Sequence, residues 1–305
     1  MDQSFDIVGM GMSMIDILKV VDAFPEGEGV TEVIESRLQG GGPVPTALVT
    51  AAQLGASTAI VDRIGKDWRG DLVVHEYRAA GVNTNHLILE PGKTTTYGTV
   101  LVRQGDGARH VVFSPGDFTP LAVDELPRDV IRSAKILHLN GRHWPACMDA
   151  ALEIRGMGGL VSFDGGDGRF DEKFRELLPL VDIHIAARDF AEKLAGSDDT
   201  GEQLATMVGL GAKIAGITDG ARGSWFATET GDVFHQPAYP VETVVDTTGC
   251  GDVFHGAFLF AYIQDWTLKE CAIFASAAAA INATALGGRG HLATLEEIRQ
   301  MVSGA

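Results

Sequence analysis

Asp246 and Asp252 bracket Thr247-Thr248-Gly249-Cys250-Gly251 in the stretch DTTGCGDVFHGAF, and an almost wholly apolar run, VFHGAFLFAYI, follows. The run reads as a buried helix, which puts the glycines and Asp252 at its N-terminus. Backbone N–H groups in a first helical turn lack intrahelical partners, and the positive end of the helix dipole attracts anions. A carboxylate there can take a proton from an attacking hydroxyl, while the loop amides hold charge developing on a transferred phosphoryl group. The same residue types also make an ordinary helix start, with Asp252 as dipole partner and Asp246 as turn acceptor. Residues 246–252 alone leave both readings open.

Other stretches raise the same choice. GGGPVPTA (40–47) opens a helix with prolines in its first turn, and its glycines either let a ligand approach free N–H groups or simply make a turn. Asp16 follows the first apolar run and is either a ligand contact or a solvated loop acid. GITDGARGSW (216–225) ends an apolar run with threonine and glycines but lacks the GxxxxGK[ST] of a P-loop, and GMG (9–11) does not complete GxGxxG because Met14 stands at the third glycine. A dinucleotide site therefore has little support.

Composition narrows the class. A 45% hydrophobic fraction over 305 residues supplies a sizeable core. The net charge of −17 argues against nucleic acid or an anionic membrane as the main partner. Cys147, Cys250 and Cys271 lie far apart with no CxxC pair, which suits a reducing cytoplasm rather than a zinc site or disulfide framework. The start MDQSFDIVGMG lacks the basic and apolar regions of a secretory signal, and no apolar stretch is long enough to span a bilayer.

The elements that must carry these residues alternate. FDIVGMG (5–11), STAIVDRIG (57–65), KILHLN (135–140), GLVSFDGG (159–166), VDIHIAA (181–187) and AKIAGITDG (212–220) read as short strands separated by helical stretches such as TALVTAAQLGA (46–56) and DLVVHEYRAAG (71–81). This rhythm predicts an α/β fold, a mostly parallel sheet with helices on both faces, as one domain over 1–305. Two strand-rich insertions interrupt it: residues 12–39, with VTEVIESRL, and residues 94–114, a hairpin turning at Gln104-Gly105-Asp106-Gly107. They form either a small β lid over one end of the domain or an ordinary antiparallel edge.

DTTGCGD resembles the DTxGAGD signature of the PfkB, or ribokinase-like, family of sugar and nucleoside kinases, with Cys250 in place of the usual alanine. The resemblance runs almost end to end: GGGPVPTALVTAAQLGA resembles the family's first glycine signature, DRIGKDWRGD its second-strand loop, and TDGARGSW its nucleotide-side TxGxxG. IHIAARDFAEKLAG and ILHLNGRHWP are similar to ketohexokinase members, and HQPAYPVETVVDTTGCGDVFHGA with GGRG to sulfofructose kinases. The resemblance implies a ribokinase-like central sheet flanked by helices with a small β lid, which in many members also builds a homodimer.

It further implies an ATP-dependent kinase transferring a phosphoryl group to a hydroxymethyl of a ketohexose-type sugar, fructose or 6-deoxy-6-sulfofructose. A nucleoside or ribose kinase and a non-catalytic sugar-binding sensor are the alternatives. Carried over by position, Asp252 is the base, and Gly249, Cys250 and Gly251 supply the anion hole. Asp16, Gly41, Gly42 and Thr46 hold sugar hydroxyls, with Thr46 where ribokinases have asparagine. Thr218, Gly220 and Gly223 line the nucleotide, and Asn282 lies near the adenine. Asp246 and the 284–291 loop stand at a monovalent-cation (K+) site. Arg109 and Arg142 face the far end of the sugar, where two arginines suit an anionic substituent. The NxxE motif that organises Mg2+ falls on Ala187-Arg188-Asp189-Phe190 and is missing. Arg188 then touches the ATP phosphates, with Mg2+ held by ATP and waters.

Overall fold

In the computed structural model, which describes residues 4–105 and 107–304, the chain opens with β1 (Phe5–Met10), β2 (Met14–Val21) and β3 (Glu35–Gly41). Helix α1 (Pro43–Leu54), β4 (Thr58–Gly65), α2 (Trp68–Ala79) and β5 (Asn83–Glu90) follow, then the hairpin β6 (Tyr97–Arg103) and β7 (Arg109–Ser114). The middle of the chain contains α3 (Arg128–Ser133), β8 (Ala134–Leu139), α4 (Ala146–Gly156), β9 (Leu160–Gly165) and α5 (Phe174–Leu177). Next come β10 (Ile183–Ala187), α6 (Arg188–Ala195), α7 (Thr200–Gly209), β11 (Ile214–Thr218), β12 (Ser224–Thr228) and β13 (Val233–Gln236). Three helices close the chain: α8 (Cys250–Tyr262), α9 (Leu268–Asn282) and α10 (Leu295–Ser303).

The main sheet has the order β13-β12-β11-β10-β9-β8-β1-β4-β5. Every pair from β5 to β11 is parallel, and β12 and β13 add an antiparallel edge. Neighbouring residues on the strands face opposite layers. Ile7, Ile136, Ile183 and Ile185 pack with α1, α8 and α9 on one side, while Val8, Leu137, Val161 and Phe163 pack with α4, α6 and α7 on the other. Strands covered on both faces read as continuous apolar runs, and each fully buried aliphatic side chain contributes about 1.5–3 kcal/mol. Phe254 and Phe258 of α8 stack against Phe226 of β12 at centroid distances of 6.4 and 5.6 Å, which anchors the helix carrying Asp252.

The strand order reverses at β1, which lies between β4 and β8, both parallel to it. Ligands of open α/β sheets bind beyond the carboxyl ends of the strands at such a switch point. The segments following β1, β8, β9, β10 and β11 gather at that edge.

The two insertions pair into a second sheet, ordered β3-β2-β6-β7. Cross-strand register puts Gln39, Asp16, Gly98 and Phe113 in one row, and Leu38, Ile17, Thr99 and Val112 in the adjacent row on the opposite face. The Asp16 face also carries Leu18, Val100 and Val102, which bury against Leu286 of the loop after α9. Strand pairing of VTEVIESRL begins only at Glu35, because Pro25, Gly27 and Gly29 interrupt the preceding segment. Asp106 of the predicted hairpin turn lies outside the described residues. Among the described residues no helix is long and apolar enough to cross a membrane.

Candidate active site

Gly249 ends the approach to α8 in the left-handed region, at φ +70°, and a Cβ there would come within 2.5 Å of Gly288. Only glycine satisfies both demands. The first i→i−4 bond of α8 runs from Val253 N–H to Gly249 O at 2.8 Å, so the amides of Gly251 and Asp252 lie ahead of it. Asp252, half-buried in this first turn, is pushed up to about 7. Burial is the main cause and the Asp164 charge adds to it, against the opposing pull of Arg169, His255 and Arg289. A carboxyl with this proton affinity is matched to general-base work near neutral pH.

The loop before Asp252 is tied from below. Asp246 is completely buried; its Oδ1 accepts from Thr248 N–H (2.8 Å) and Thr248 Oγ1 (2.6 Å), and its Oδ2 from Gly287 N–H (2.9 Å). Both oxygens accept from protein donors, so Asp246 joins residues 246–249 to the 287–290 loop. Asn282 corrects an expectation. It is also completely buried, and its amide donates toward Thr248 O and Gly288 O (3.4 Å each) while its Oδ1 accepts from His291 N–H (3.3 Å). Asn282 is a loop tie with no free face for adenine. The Cys250 thiol, 4.0 Å from Asn282 Nδ2, is pushed up to about 12 by burial and stays protonated.

On the lid side, Asp16 is 9% exposed, and no protein donor reaches its carboxylate among the described residues. Burial pushes it up to about 6, with Arg289 pulling the other way and Asp246 and Glu76 adding to the rise. A Cβ on Gly41 would sit 2.1 Å from Asp16 Oδ2, so glycine at 41 is what admits the carboxylate. Gly42 caps α1, and Thr46 in its first turn is buried, its Oγ1 accepting from Arg289 Nε at 3.2 Å. Arg289 also pairs with Glu76 at 2.9 Å, and Glu76 accepts from Gly40 N–H at 2.6 Å. Beneath this corner a buried chain runs from Tyr77 through Ser13 (2.6 Å) to Asp62, which accepts from Ser13 N–H (2.6 Å) and meets His143 Nε2 (2.5 Å). That chain braces the loop after β1.

Arg109, on the lid, donates to Thr247 Oγ1 at 3.0 Å and so joins the lid to the loop before Asp252. Arg142, after β8, lies with its guanidinium 5.4 Å from the Phe118 ring, and its Nε is buried without a partner among the described residues.

At the β10–β11 end, Thr218 closes β11 with its Oγ1 3.5 Å from Ala186 O. Gly220 and Gly223 follow at φ +51° and +89°. Arg188 pairs with Asp219 of this turn, donates to Thr200 Oγ1 at 3.1 Å and stacks 5.0 Å from Trp225. Arg188 therefore braces the TDGARG turn, and contact with phosphates requires it to leave those partners. Asp167, after β9, lies beside Asp189, in α6, and the neighbouring carboxyl raises Asp167. Asp189 stays lowered despite partial burial, through Asp167, Gly168 N–H at 2.8 Å and Lys193 at 3.3 Å. Two facing carboxylates of this kind are hard oxygen donors that suit Mg2+.

The structure thus groups Asp252, Gly249, Cys250, Gly251 and Asp246 in one loop, Asp16, Gly41, Gly42 and Thr46 in a second corner, and Arg188, Thr218, Gly220 and Gly223 in a third. Sequence reasoning points to Asp164 only as an outer-shell acceptor or strand-end cap, and does not single out Arg289. The signal for Arg289 was the lone cation of GGRG in a very acidic chain.

A family model described as pfkB family carbohydrate kinase matches residues 4–295. The ATP-dependent ribose-1-phosphate kinase of Halopiger xanaduensis is 27% identical over 90% of this chain and 90% of its own. The fructokinase of Solanum tuberosum is 28% identical over 98% and 96%. A crystal structure of a putative ribokinase II from E. coli, in complex with ATP and Mg2+, superposes with a TM-score of 0.86 at 21% identity, covering 99% of this chain and 100% of its own. With these matches running nearly end to end over the geometry described, the chain belongs to the pfkB family of carbohydrate kinases and is an ATP-dependent phosphotransferase acting on an alcohol group.

Proposed function

We propose that this kinase phosphorylates a hydroxymethyl group of a ketohexose-type sugar, with Asp252 as the base. The observation that carries the reading is the Asp252 carboxyl in the first turn of α8, brought to about 7 beside unpaired amides. Asp252 accepts the hydroxyl proton, the sugar oxygen bonds to the γ-phosphorus of ATP, and the bond to the leaving ADP oxygen breaks. The amides of Gly249, Cys250 and Gly251 would take up the charge developing on the transferring group, the Cys250 N–H turning from its 3.4 Å contact with Thr247 O. Asp16, with Gly41, Gly42 and Thr46, orients the sugar hydroxyls. Thr218, Gly220 and Gly223 line the nucleotide, braced by Arg188. Asp167 and Asp189 are the residues that would hold the Mg2+ accompanying ATP. When bound, Mg2+ neutralises phosphate charge.

Arg109 and Arg142 favour a ketose with an anionic 6-substituent by charge-assisted hydrogen bonding. The similarity to a ribose-1-phosphate kinase supports a second reading, a phosphorylated pentose in the same corner. A coupled ADP-release assay over fructose, 6-deoxy-6-sulfofructose, fructose 6-phosphate, ribose, ribose 1-phosphate and adenosine decides between them. Highest kcat/KM for a ketose supports the proposal. Faster turnover of a ribose compound or adenosine overturns it, and sugar binding without turnover marks a sensor.

The protein works as one catalytic domain in a reducing cytoplasm, with Cys147, Cys250 and Cys271 unpaired. The outer lid row exposes Leu38 (49%) and Val112 (58%), and we assign this face to a homodimer contact, checked by the mass in solution.

A further inference from the structure

Between α8 and the sheet, directly behind Asp252, lies a polar cluster that phosphoryl transfer does not itself use. His255, one helical turn after Asp252, is buried with its Nε2 3.3 Å from Asp164 Oδ1. Asp164 belongs to β9 and is 6% exposed. His138 of β8 lies alongside, its ring 5.3 Å from that of His255 and its Nδ1 3.1 Å from Ser162 Oγ. Asp164 Oδ2, His255 Nδ1 and His138 Nε2 are buried with no protein partner among the described residues. A layer needed only for packing is filled more stably by apolar side chains, because buried charge and unpaired polar atoms each cost free energy. Residues three apart share a helix face, so Asp252 and His255 both look toward Asp164.

We infer that Asp164 and His255 form a positioning pair that sets the proton affinity of the proposed base. Asp164 is a fixed like charge behind Asp252, and His255 holds that carboxylate in place and offsets it. An aspartate among helix N-terminal amides is otherwise a weak proton acceptor. The pair counters that tendency and brings the base toward the working pH. The inference rests on the reading of Asp252 as the base.

The groups facing these residues come from several elements. Asp252 feels Asp164 and Arg169 from β9 and its following loop, His255 from its own helix, and Arg289 from the loop after α9. Burial pushes Asp164 upward, but the charge and hydrogen bond of His255, with Arg169 and His138, together hold it at about 2. His138 and His184, facing from β8 and β10, are pushed down to about 3, chiefly by burial, and are neutral at working pH. Cys250, which feels Asp246, Asp252 and Arg109, is neutral as well. His255 is the imidazole whose Nε2 reaches the Asp164 carboxylate.

The test follows the Asp252 carboxyl carbon by NMR in full-length protein labelled with 13C-aspartate, its resonance identified by its loss in Asp252→Asn. His255→Gln keeps a neutral donor at the Nε2 position, and Asp164→Asn removes the like charge. The Asp252 midpoint is expected to fall by about one pH unit in Asp164→Asn and to rise by about one in His255→Gln, the size of shift a nearby charge produces. The acid limb of kcat is expected to move with it, while the KM for the best sugar changes less than about twofold, because neither residue touches the sugar. An Asp252 midpoint unmoved in either folded variant overturns the inference; if Asp164→Asn does not fold, His255→Gln alone decides. A midpoint that moves while the kcat limb stays put leaves the pair standing and refutes Asp252 as the base.

Discussion

Replacing Asp252 by asparagine should make the protein more stable at alkaline pH while removing the proposed base. Burial pushes the folded carboxyl up to about 7, well above the ordinary aspartate value of 3.8. At 1.36 kcal/mol per unit this is about 4 kcal/mol of strain in the ionised folded state. Asp252 keeps some solvent contact, which screens the charge and brings the expected effect to about 1–3 kcal/mol. Because the folded value is the higher one, the folded state is favoured below pH 4, where both states are protonated. That advantage is lost as pH rises, completely above about 7. The asparagine variant lacks this dependence. Its melting temperature should exceed wild type by about 2–6 °C at pH 8, and the difference should shrink steadily toward pH 4. Thermal unfolding followed by circular dichroism at pH 4, 6 and 8 measures it. No gain at pH 8, or a gain equal at pH 4 and 8, refutes the argument that Asp252 is held in an unfavourable ionised state.

Cys250→Ala removes a neutral thiol whose hydrogen-bond contact is Asn282 Nδ2 at 4.0 Å, so turnover should stay within a few-fold of wild type in the ADP assay; complete loss contradicts the role assigned to the backbone. Asn282→Ala orphans His291 N–H and the carbonyls of Thr248 and Gly288. It should cost about 2–3 kcal/mol in urea unfolding and lower kcat, whereas a selective rise in the KM for ATP would return Asn282 to the nucleotide. Arg109→Ala loses one exposed bond to Thr247. Stability should change by less than about 0.5 kcal/mol, while the KM for an anionic ketose rises about tenfold more than that for fructose; equal changes place the anionic group elsewhere.

The parallel sheet was legible because strands covered on both faces must be apolar throughout, as in STAIVDRIG and KILHLN, and because glycines such as Gly55 and Gly81 mark the ends of the intervening turns. The lid was legible from alternation in β2 and β6, and from the hairpin glycines. β5, β12 and β13 were not read as strands: β5 is half-buried along its length and the other two form an antiparallel edge, so neither pattern is that of a core strand. At the site, the DTTGCGD loop announced itself through local residue types. Asn282 did not, since the end of an apolar helix gives no sign that its last side chain turns back under another loop. Arg289 meets Thr46 across more than two hundred residues of sequence, and Asp164 meets His255 across about ninety. His255 passed as one polar residue in an apolar run, because spacing shows which face it shares with Asp252 but not the carboxylate waiting there.

The proposed phosphoryl transfer depends on Asp252 as the group that takes the sugar proton. The most direct measurement is single-turnover phosphoryl transfer by Asp252→Asn with the sugar that wild type uses best, at saturating ATP and Mg2+. Loss of general-base catalysis predicts a rate about 10²- to 10⁴-fold below wild type, with sugar and ATP affinities within a few-fold. Transfer at the wild-type rate by the folded variant would contradict it.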